Sequence, residues 1–537
     1  MGTPTEYNYA DLFEAIADRI DDREVLVCED TRLTYGELDR RANRLAHHLQ
    51  SIGIGKDDHV GCHLVNGTEY VETVLACLKL RAVPVNVNYR YVEAELAYLY
   101  DDADLVAVVT SDNYLDRVIA VLPKTPKVRH VMVLGKADLT TVSVDAVDYE
   151  QALAAQDDTR EGFPERSGDD LYIIYTGGTT GMPKGVMWRQ QDLFFAGLAG
   201  GNPGGEPATS PEEAVQRAVD GGGLIMFPVP PLMHGAAQLG TFISFWGGNR
   251  IVLLPKFDAE DVLRTIEKEK VNTINIVGDA MALPIAAARR GPCADLDLSS
   301  MFVISSTAAL LSPTTKEQLK ELFPNCMLII SYGSTETGFQ GSMPDADAPG
   351  LVFAANADGR TAVLDESLHR VEAGSGVVGM VAQKKFVPVG YYKDPEKTAK
   401  TFVEVDGERW VMTGDQGTVE ADGTITVLGR GSVCINTGGE KVYCEEVEAA
   451  LKAHPAVYDA VVTGIPDERF GERVAAVIQV VPGMPTPTQE AIEAHARTLL
   501  AGYKVPRRVV VVDEMQRSPS GKADYPWAKR TVMAAGD

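Results

Sequence analysis

The stretch YTGGTTGMPKGV, residues 175–186, follows the apolar run Leu171–Ile174, and Leu171–Tyr175 is predicted to be a short buried strand. Glycines let backbone amides turn toward an anion, threonine hydroxyls add donors and the lysine adds positive charge. Pro183 and Gly185 flank Lys184, which disfavours the helix that follows a Walker A lysine. The stretch therefore predicts a loop over a polyphosphate, with an ordinary glycine–threonine turn as the alternative. Its candidate ligands are Thr176, Gly177, Gly178, Thr179, Thr180, Gly181 and Lys184.

This ordered run resembles the signature loop of the adenylate-forming superfamily, which contains acyl-CoA synthetases, peptide-synthetase adenylation domains and firefly-type luciferases. The resemblance implies ATP as a co-substrate, with a carboxylate attacking the α-phosphate. The opening segments Leu33–Leu38 (LTYGEL) and Pro84–Tyr89 (PVNVNY) also resemble acyl-CoA synthetases.

A second motif is the apolar run 328–330 followed by Ser331-Tyr332-Gly333-Ser334-Thr335-Glu336, which matches the family pattern Tyr-Gly-x-Thr-Glu. Tyr332 offers a ring face for adenine, with Gly333 and Ser334 beside it. Thr335 can donate to the α-phosphate, and Glu336 offers hard oxygen to Mg²⁺. We predict Thr335 and Glu336 as catalytic residues, and Glu336 as the metal ligand.

Three further segments are predicted to complete the nucleotide and acyl sites. By resemblance, Pro228–Ala237 forms the entrance of the acyl pocket, and His234 lines the substrate as a catalytic-site residue. Also by resemblance, Ser306, Thr307 and Ala308 contact adenine and the acyl chain, although the family often has Gly-Gly-Ala-Pro where this chain has Ser306–Ala309. Asp415, after a glycine, can accept hydrogen bonds from both ribose hydroxyls.

The C-terminal part carries the remaining candidates. Arg430 can pair with ribose or phosphate because its charge is fixed. The family hinge, usually Asp or Lys, is Ser432 here. Resemblance implies that Gly438 and Gly439 line a tunnel for CoA, and that Lys522 in Ser518–Ala523 (SPSGKA) is the adenylation lysine. Its ammonium would neutralise charge between the carboxylate and the α-phosphate.

Composition limits the class of protein. The chain has 537 residues, which exceeds a single hydrophobic core, and its formal charge of −26 argues against nucleic acid or an anionic membrane surface as partner. The 7 cysteines are scattered, which favours reduced thiols. No signal segment or run of 18 apolar residues occurs. We expect a cytoplasmic protein with no integral membrane segment; the sequence allows a homodimer and leaves the oligomeric state open.

Strands alternate with helices along the first part of the chain, which predicts an α/β multi-domain fold. We predict a large N-terminal domain, residues 1–430, with parallel α/β sheets and a β-rich subdomain within 350–428. A small mobile α+β domain, residues 431–537, carries Lys522. Residues 136–170 are expected to be an irregular surface connection, and residues 200–223 a mobile insertion.

The motifs occur in family order across residues 33–523, and they imply an acyl-CoA synthetase that uses ATP, CoA and a carboxylic acid. The segments GVMWR, residues 185–189, and GKADY, residues 521–525, resemble actinobacterial ligases for fatty acids and steroid side chains. The alternatives are an acyl-AMP ligase that serves a carrier protein and a non-catalytic nucleotide sensor. A P-loop kinase or ATPase is disfavoured by Pro183.

Overall fold

The computed structural model describes residues 5–176, 182–309, 311–343, 351–356, 358–430, 434–437, 440–467, 471–517 and 522–535. Its first part alternates helices and strands, as predicted. These elements are α1 Tyr9–Ala17, β1 Glu24–Cys28, β2 Thr31–Thr34, α2 Tyr35–Ser51, β3 His59–His63, α3 Thr68–Lys79, β4 Val83–Asn86, α4 Glu93–Asp102, β5 Leu105–Ser111, α5 Asp112–Val121, β6 His130–Leu134, β7 Asp145–Asp148, α6 Tyr149–Ala154 and β8 Leu171–Thr176.

The middle of the chain continues the alternation and carries most of the site. Its elements are β9 Lys184–Arg189, α7 Gln190–Ala196, α8 Pro211–Asp220, β10 Ile225–Pro228, α9 Gly235–Trp246, β11 Arg250–Leu253, α10 Ala259–Glu269, β12 Thr273–Ile276, α11 Gly278–Arg290, β13 Val303–Ser306, α12 Pro313–Leu322, β14 Met327–Ser334 and β15 Gly338–Ser342.

The last part is richer in strands. It contains β16 Leu351–Ala355, β17 Thr361–Leu364, β18 Gly379–Lys384, β19 Gly390–Tyr391, α13 Pro395–Thr401, β20 Phe402–Val405, β21 Glu408–Val419, β22 Ile425–Arg430, β23 Ile435–Thr437, β24 Glu440–Val442, α14 Cys444–Lys452, β25 Val457–Asp467, β26 Gly471–Val480, α15 Gln489–Leu499, β27 Arg508–Val512 and α16 Tyr525–Ala534.

Local sequence explains the helices. At the start of α2, Thr34 and Glu37 form a capping box, in which each side chain accepts a hydrogen bond from the other residue's backbone N–H. The apolar residues that recur at helical spacing in α2 are all buried: Leu38, Ala42, Leu45, Ala46 and Leu49. One face of α2 therefore packs into the core while its charged face meets water.

Among the described residues, the strands form three sheets. The first has the order β19-β9-β8-β4-β3-β5-β6-β7. The second has a parallel centre, β11-β10-β12-β13-β14, and continues through β15 into the antiparallel β16, β22, β21, β18 and β17. The third contains β23–β27 and has its own buried core. This confirms the predicted fold class: parallel α/β sheets, a β-rich part and a small C-terminal α+β unit.

Two predictions of irregular structure were wrong. Residues 136–170 contain β7 and α6, and residues 200–223 contain α8, whose first turn is capped by Ser210. In α8, Ala214, Val215 and Ala218 are buried. The helix α8 is short and has a polar outer face, so it changes the composition of residues 200–223 very little. The glycine-rich residues around it therefore led to a prediction of irregular structure.

All seven cysteines are free, as predicted. None of the described helices is both long and apolar enough to cross a membrane. The domain boundary at residue 431 stays a prediction, because residues 431–433 lie outside the described part of the chain. Below, the described residues up to 430 are named the N-lobe and those from 434 onward the C-lobe.

Candidate active site

A cavity of about 1400 Å³ lies at the carboxyl ends of the parallel strands of the second sheet and extends to the C-lobe. Carboxyl ends of parallel strands are the usual ligand edge of such sheets. The cavity is larger than the usual range for small-molecule sites, roughly 300–1,000 Å³. Predicted site residues on its wall are Thr176, Thr307, Ala308, Tyr332, Gly333, Ser334, Thr335, Glu336, Asp415 and Lys522.

The Thr335–Glu336 segment is held by a tight turn between β14 and β15. A Cβ at Gly333 would lie 2.0 Å from the carbonyl oxygen of Gly338, so this approach of two backbones requires glycine. The buried Trp188 indole donates to the carbonyl oxygen of Thr335 at 2.9 Å. The Tyr391 hydroxyl donates to Glu336 Oε1 at 2.8 Å. The segment is therefore fixed to β9, the strand that follows the glycine-rich stretch, and to β19, which pairs with β9.

Glu336 fits a role as ligand to a hard cation. Its carboxylate lies on the cavity wall, and its hydrogen-bond partner is a hydroxyl. No ion pair involving Glu336 occurs among the described residues, so no side chain there neutralises its charge. Mg²⁺ takes one or two carboxylates and completes its shell with phosphates and water. The described residues contain no cluster of three or more His, Cys, Asp or Glu side chains that could hold a metal alone.

Asp415 and Tyr332 form a second fixed element of the wall. The Tyr332 hydroxyl donates to Asp415 Oδ2 at 2.9 Å, and the Thr413 hydroxyl donates to the same oxygen at 3.1 Å. The Tyr332 ring stacks on Phe353 with centroids 4.6 Å apart. The two hydroxyl donors on Oδ2 therefore help to orient the Asp415 carboxylate at the cavity wall. Arg430 is its register partner on β22, but the Arg430 side chain is not described.

Lys522 reaches the same cavity from the C-lobe. It lies close enough to His234 that its charge affects the imidazole. Burial, together with the charges of Arg90 and Lys522, lowers the pKa of His234 to about 4. The imidazole is therefore neutral at pH 7 and adds no positive charge beside the lysine. His234 precedes α9 without lining the cavity wall; Gly235 and Ala236, which follow it, do line the wall.

Two other predicted ligands lie away from the cavity wall. Lys184 forms an ion pair with Asp394 at 3.3 Å. Ser306 is fully buried and its hydroxyl accepts a hydrogen bond from the Gly278 backbone N–H at 3.1 Å, so it supports the start of α11.

The remaining predicted residues lie outside the described part of the chain: Gly177, Gly178, Thr179, Thr180, Gly181, Ser432, Gly438 and Gly439.

The apolar part of the cavity lies on one face of the second sheet. Every second residue of the neighbouring strands points to that face, as strand geometry requires. Opposite the sheet, α9 contributes small residues and aliphatic side chains, which leave room for a bulky apolar group. The apolar residues of this part include Met226, Val303, Met327, Ile329, Leu239, Gly240 and Ile243, and the polar Thr273, Asn275 and Ser305 stand among them.

Two buried asparagines, which the sequence motifs do not identify as site residues, position the Pro-rich segment before α9. Asn66 Oδ1 accepts from the Leu232 N–H at 2.6 Å. Asn86 donates to the carbonyl oxygens of Tyr175 and Met233 at 2.8 and 2.7 Å, and accepts from the Tyr175 N–H at 2.8 Å. Asn86 thus joins the end of β8 to the residue before His234. Its place at a strand end in the PVNVNY segment was the signal available in the sequence.

Comparisons with known proteins agree with this geometry. Residues 13–392 match the sequence model of a family described as AMP-binding enzyme, and residues 446–522 match that of the AMP-binding enzyme C-terminal domain. A medium/long-chain-fatty-acid–CoA/3-oxocholest-4-en-26-oate–CoA ligase from Mycobacterium tuberculosis is 48% identical over 533 residues, covering 98% of this chain and 96% of the relative.

Two more proteins bear on the reaction and the fold. A 3-oxocholest-4-en-26-oate–CoA ligase from Rhodococcus rhodochrous is 46% identical over 531 residues, covering 97% of this chain and 95% of the relative. The crystal structure of the anthranilate CoA ligase AuaEII with anthranoyl-AMP superposes with a TM-score of 0.85 at 23% identity, covering 100% of this chain and 99% of that one. That structure supports the fold.

Proposed function

The chain belongs to the family of AMP-binding enzymes, and from that membership we propose how its residues carry out the reaction and which acids it takes. It is an ATP-dependent acid–thiol ligase that makes acyl-CoA from a carboxylic acid, ATP and CoA. We propose medium- or long-chain fatty acids and steroid side-chain acids as substrates. The observation that carries the proposal is one cavity lined by Thr335, Asp415 and Lys522 together with an apolar sheet face.

The first half-reaction makes the carboxyl group electrophilic. A carboxylate oxygen attacks the α-phosphorus of ATP, the bond to the β-phosphate oxygen breaks, and pyrophosphate leaves with that electron pair. Asp415 holds the ribose, Thr335 donates to the α-phosphate, and the Lys522 ammonium neutralises the two anions that meet. Positioning and neutralisation of this kind supply most of the acceleration in such transfers.

Mg²⁺ is proposed as the metal of this step. Glu336 would hold it together with phosphate oxygens, and the ion supplies neutralisation of phosphate charge when bound. The neutral imidazole of His234 lies beside the entrance to the acyl pocket, where it excludes water without competing with Lys522 for the anion.

The second half-reaction transfers the acyl group. The CoA thiolate attacks the acyl carbon of the adenylate, the bond to the phosphate oxygen breaks, and AMP leaves. We propose that the C-lobe rotates so that Lys522 withdraws and the segment at Gly438 and Gly439 approaches the pantetheine. A boundary near residue 431 would permit this rotation.

The substrate proposal rests on the relatives and on the cavity. Both named relatives act on 3-oxocholest-4-en-26-oate, and the first acts also on medium- and long-chain fatty acids. Small residues at Gly235, Ala236 and Gly240 leave space above the sheet. The names of the relatives favour CoA over a carrier protein as acceptor, and the assembled catalytic groups argue against a nucleotide sensor.

Lys522→Ala tests the assignment of the lysine. We expect carboxylate-dependent pyrophosphate exchange to fall by about 10²–10³-fold, the scale for losing one charge-stabilising group. Conversion of supplied acyl-AMP and CoA to thioester should stay near the wild-type rate. Lys400→Met, at an exposed helix pair, is the control. Equal loss of both half-reactions would contradict the role.

Substrate choice needs a separate measurement. A panel of carboxylic acids is assayed for AMP release with and without CoA. The proposal expects the highest kcat/KM with medium- or long-chain fatty acids or steroid side-chain acids, and CoA-dependent turnover. A preference for short or aromatic acids would contradict the substrate class while leaving the reaction class intact.

A further inference from the structure

Four charged residues connect the two lobes beside the cavity: the buried Asp279 in the N-lobe, and the buried Lys452 and Asp459 with the half-buried Arg517 in the C-lobe. Lys452 Nζ lies 3.6 Å from Asp279 Oδ2 and 3.4 Å from Asp459 Oδ1. Arg517 Nε donates to Asp459 Oδ2 at 3.1 Å, and Arg517 Nη2 also contacts both carboxylate oxygens. This alternating series is named the ion chain.

The ion chain is built from fixed backbone positions. Asp279 lies in the first turn of α11 and Lys452 in the last turn of α14, where their charges complement the helix dipoles. Asp279 Oδ1 accepts from the Ser312 N–H at 2.9 Å, and Asp459 Oδ1 accepts from the Ala460 N–H at 2.8 Å. Buried charges are retained when they are paired, and the Lys452 ammonium is the ion-pair partner of both carboxylates.

The Arg517 end of the ion chain reaches the segment that carries Lys522. Arg517 and Ala523 form an isolated antiparallel bridge, so the backbone on either side of residues 518–522 is joined at its base. One residue further on, Asp524 caps α16 by accepting from the Trp527 N–H at 2.8 Å. In α16, Ala528 and Val532 pack in the C-lobe core. Arg517 therefore fixes one end of the Lys522 segment, and α16 fixes the other.

These contacts form a continuous path from α11, on the cavity wall, to the proposed catalytic lysine. Asp279, Lys452, Arg517 and Lys522 all line the same cavity. A second contact between the lobes supports the path, because the Thr314 hydroxyl donates to the carbonyl oxygen of Lys452 at 3.3 Å. The ion chain has two positive and two negative members. The attraction between neighbouring members is therefore short-range and does not depend on the net negative charge of the protein.

We propose that Asp279, Lys452, Asp459 and Arg517 are positioning residues for adenylation, which dock the C-lobe so that Lys522 stands at the α-phosphate. The proposal rests on the proposed role of Lys522. It assigns the ion chain to the first half-reaction alone, since Lys522 has no part in the attack of the CoA thiolate.

Asp459→Asn is the central test, because the carboxamide keeps an acceptor for Ala460 and removes the charge between Lys452 and Arg517. We expect kcat of pyrophosphate exchange to fall about 10- to 100-fold, the cost of displacing a catalytic group by about 1 Å. KM for ATP should stay within about twofold, and thioester formation from supplied acyl-AMP should keep its rate. Asp279→Asn should act in the same direction with a smaller effect.

Glu472→Gln is the matched control, since Glu472 pairs with Lys529 in the C-lobe away from the ion chain. A double variant with Lys522→Ala supplies a readout that a merely structural role would not move. If Asp459 acts through Lys522, Asp459→Asn causes no further loss of exchange in the Lys522→Ala background.

Three results would overturn the inference: equal loss in both half-reactions, no loss in exchange, or a full additional loss in the double variant. If Lys522→Ala itself leaves exchange intact, the proposed role of Lys522 fails first. If Lys522→Ala abolishes exchange and Asp459→Asn does not reduce it, only the positioning role fails.

Discussion

Two buried groups of charges in this protein look alike and differ in what surrounds them. The first centres on Lys79, whose Nζ lies 2.7 Å from both Glu14 Oε1 and Asp39 Oδ1. Arg160 and Arg166 complete it, and every member belongs to the N-lobe. The second is the ion chain, which crosses between lobes. The Lys79 ammonium is fully buried within one lobe and cannot reach water without unfolding, whereas the proposed separation of the lobes would expose the second group.

The difference bears on how buried charge is used. A buried pair often gives little net stability over well-packed apolar residues, but removing one partner leaves a costly unpaired charge. In the Lys79 group, this cost lowers the free energy of unfolding. In the ion chain, the proposed rotation of the C-lobe would let water hydrate an unpaired charge, so we expect the cost to fall on docking of the lobes rather than on folding. Ion pairing would therefore stabilise the fold at Lys79 and the docked arrangement of the two lobes in the ion chain.

The largest effect on stability is expected at Lys79. Lys79→Met removes the ammonium between two buried carboxylates and should lower the free energy of unfolding by about 3–5 kcal/mol. Urea unfolding of the full chain measures this, with Lys400→Met as an exposed control that should change it by less than about 0.5 kcal/mol. Both half-reactions should fall together with the folded fraction. A selective loss of pyrophosphate exchange would remove the contrast with the ion chain.

A second effect concerns pH at Glu448, which lies on the cavity wall beside the ion chain. Burial and the nearby Glu445 raise the pKa of Glu448 to about 7 from 4.5. The folded state then holds this proton more tightly than the unfolded state, so stability is fully present below pH 4.5 and declines as pH rises to about 7. One pKa unit corresponds to about 1.4 kcal/mol, so the decline is up to about 3 kcal/mol.

Glu448→Gln isolates this contribution, because the carboxamide oxygen can still accept from the Val462 N–H, 2.9 Å away in the native protein. Thermal unfolding midpoints are compared between pH 4.5 and 8 for both proteins. We expect the decline in the variant to be smaller by the contribution of Glu448. Asp459 has a lowered pKa because Lys452 and Arg517 outweigh its burial, so its contribution is lost only in more acidic solution and does not mask the test. Equal slopes in both proteins would contradict the assignment.

The smallest effect on stability is expected at Asp279. Asp279→Asn keeps an acceptor for the Ser312 N–H, and Lys452 can become hydrated if the lobes open. We therefore expect the free energy of unfolding in urea to fall by less than about 1 kcal/mol. The same variant should reduce pyrophosphate exchange. A stability loss as large as that of Lys79→Met would mean that both groups are structural in the same sense.

Much of the site could be predicted from the sequence because its chemistry is local. Tyr332, Thr335 and Glu336 follow one apolar strand, so the motif predicts both their position at a sheet edge and their proximity to one another. Asp415 and Lys522 lie far from this motif in the sequence, and the structure places both on the wall of the same cavity. Lys184 belongs to the signature loop and Ser306 to a segment that departs from the family pattern, and neither lines the cavity wall.

Other features depend on contacts that no local pattern encodes. Asn66 lay in a tripeptide that resembles a glycosylation sequon, and Asn86 lay in a strand motif. Their shared support of the segment before His234 appears only when β3, β4 and β10 are brought together. The helix α8 was missed because glycine and proline dominate the composition around it.

The sequence by itself determined the superfamily, the order of the motifs and the reaction, because hydroxyls, glycines and charged groups at strand ends act through short-range geometry. Only the tertiary structure decided which charges share a buried space. Asp279, Lys452, Asp459 and Arg517 lie on separate elements, and each is an ordinary charged residue in its own segment. Their pairing follows from the packing of α11 against the C-lobe, since the strength of an ionic contact depends on distance and burial rather than on separation along the chain.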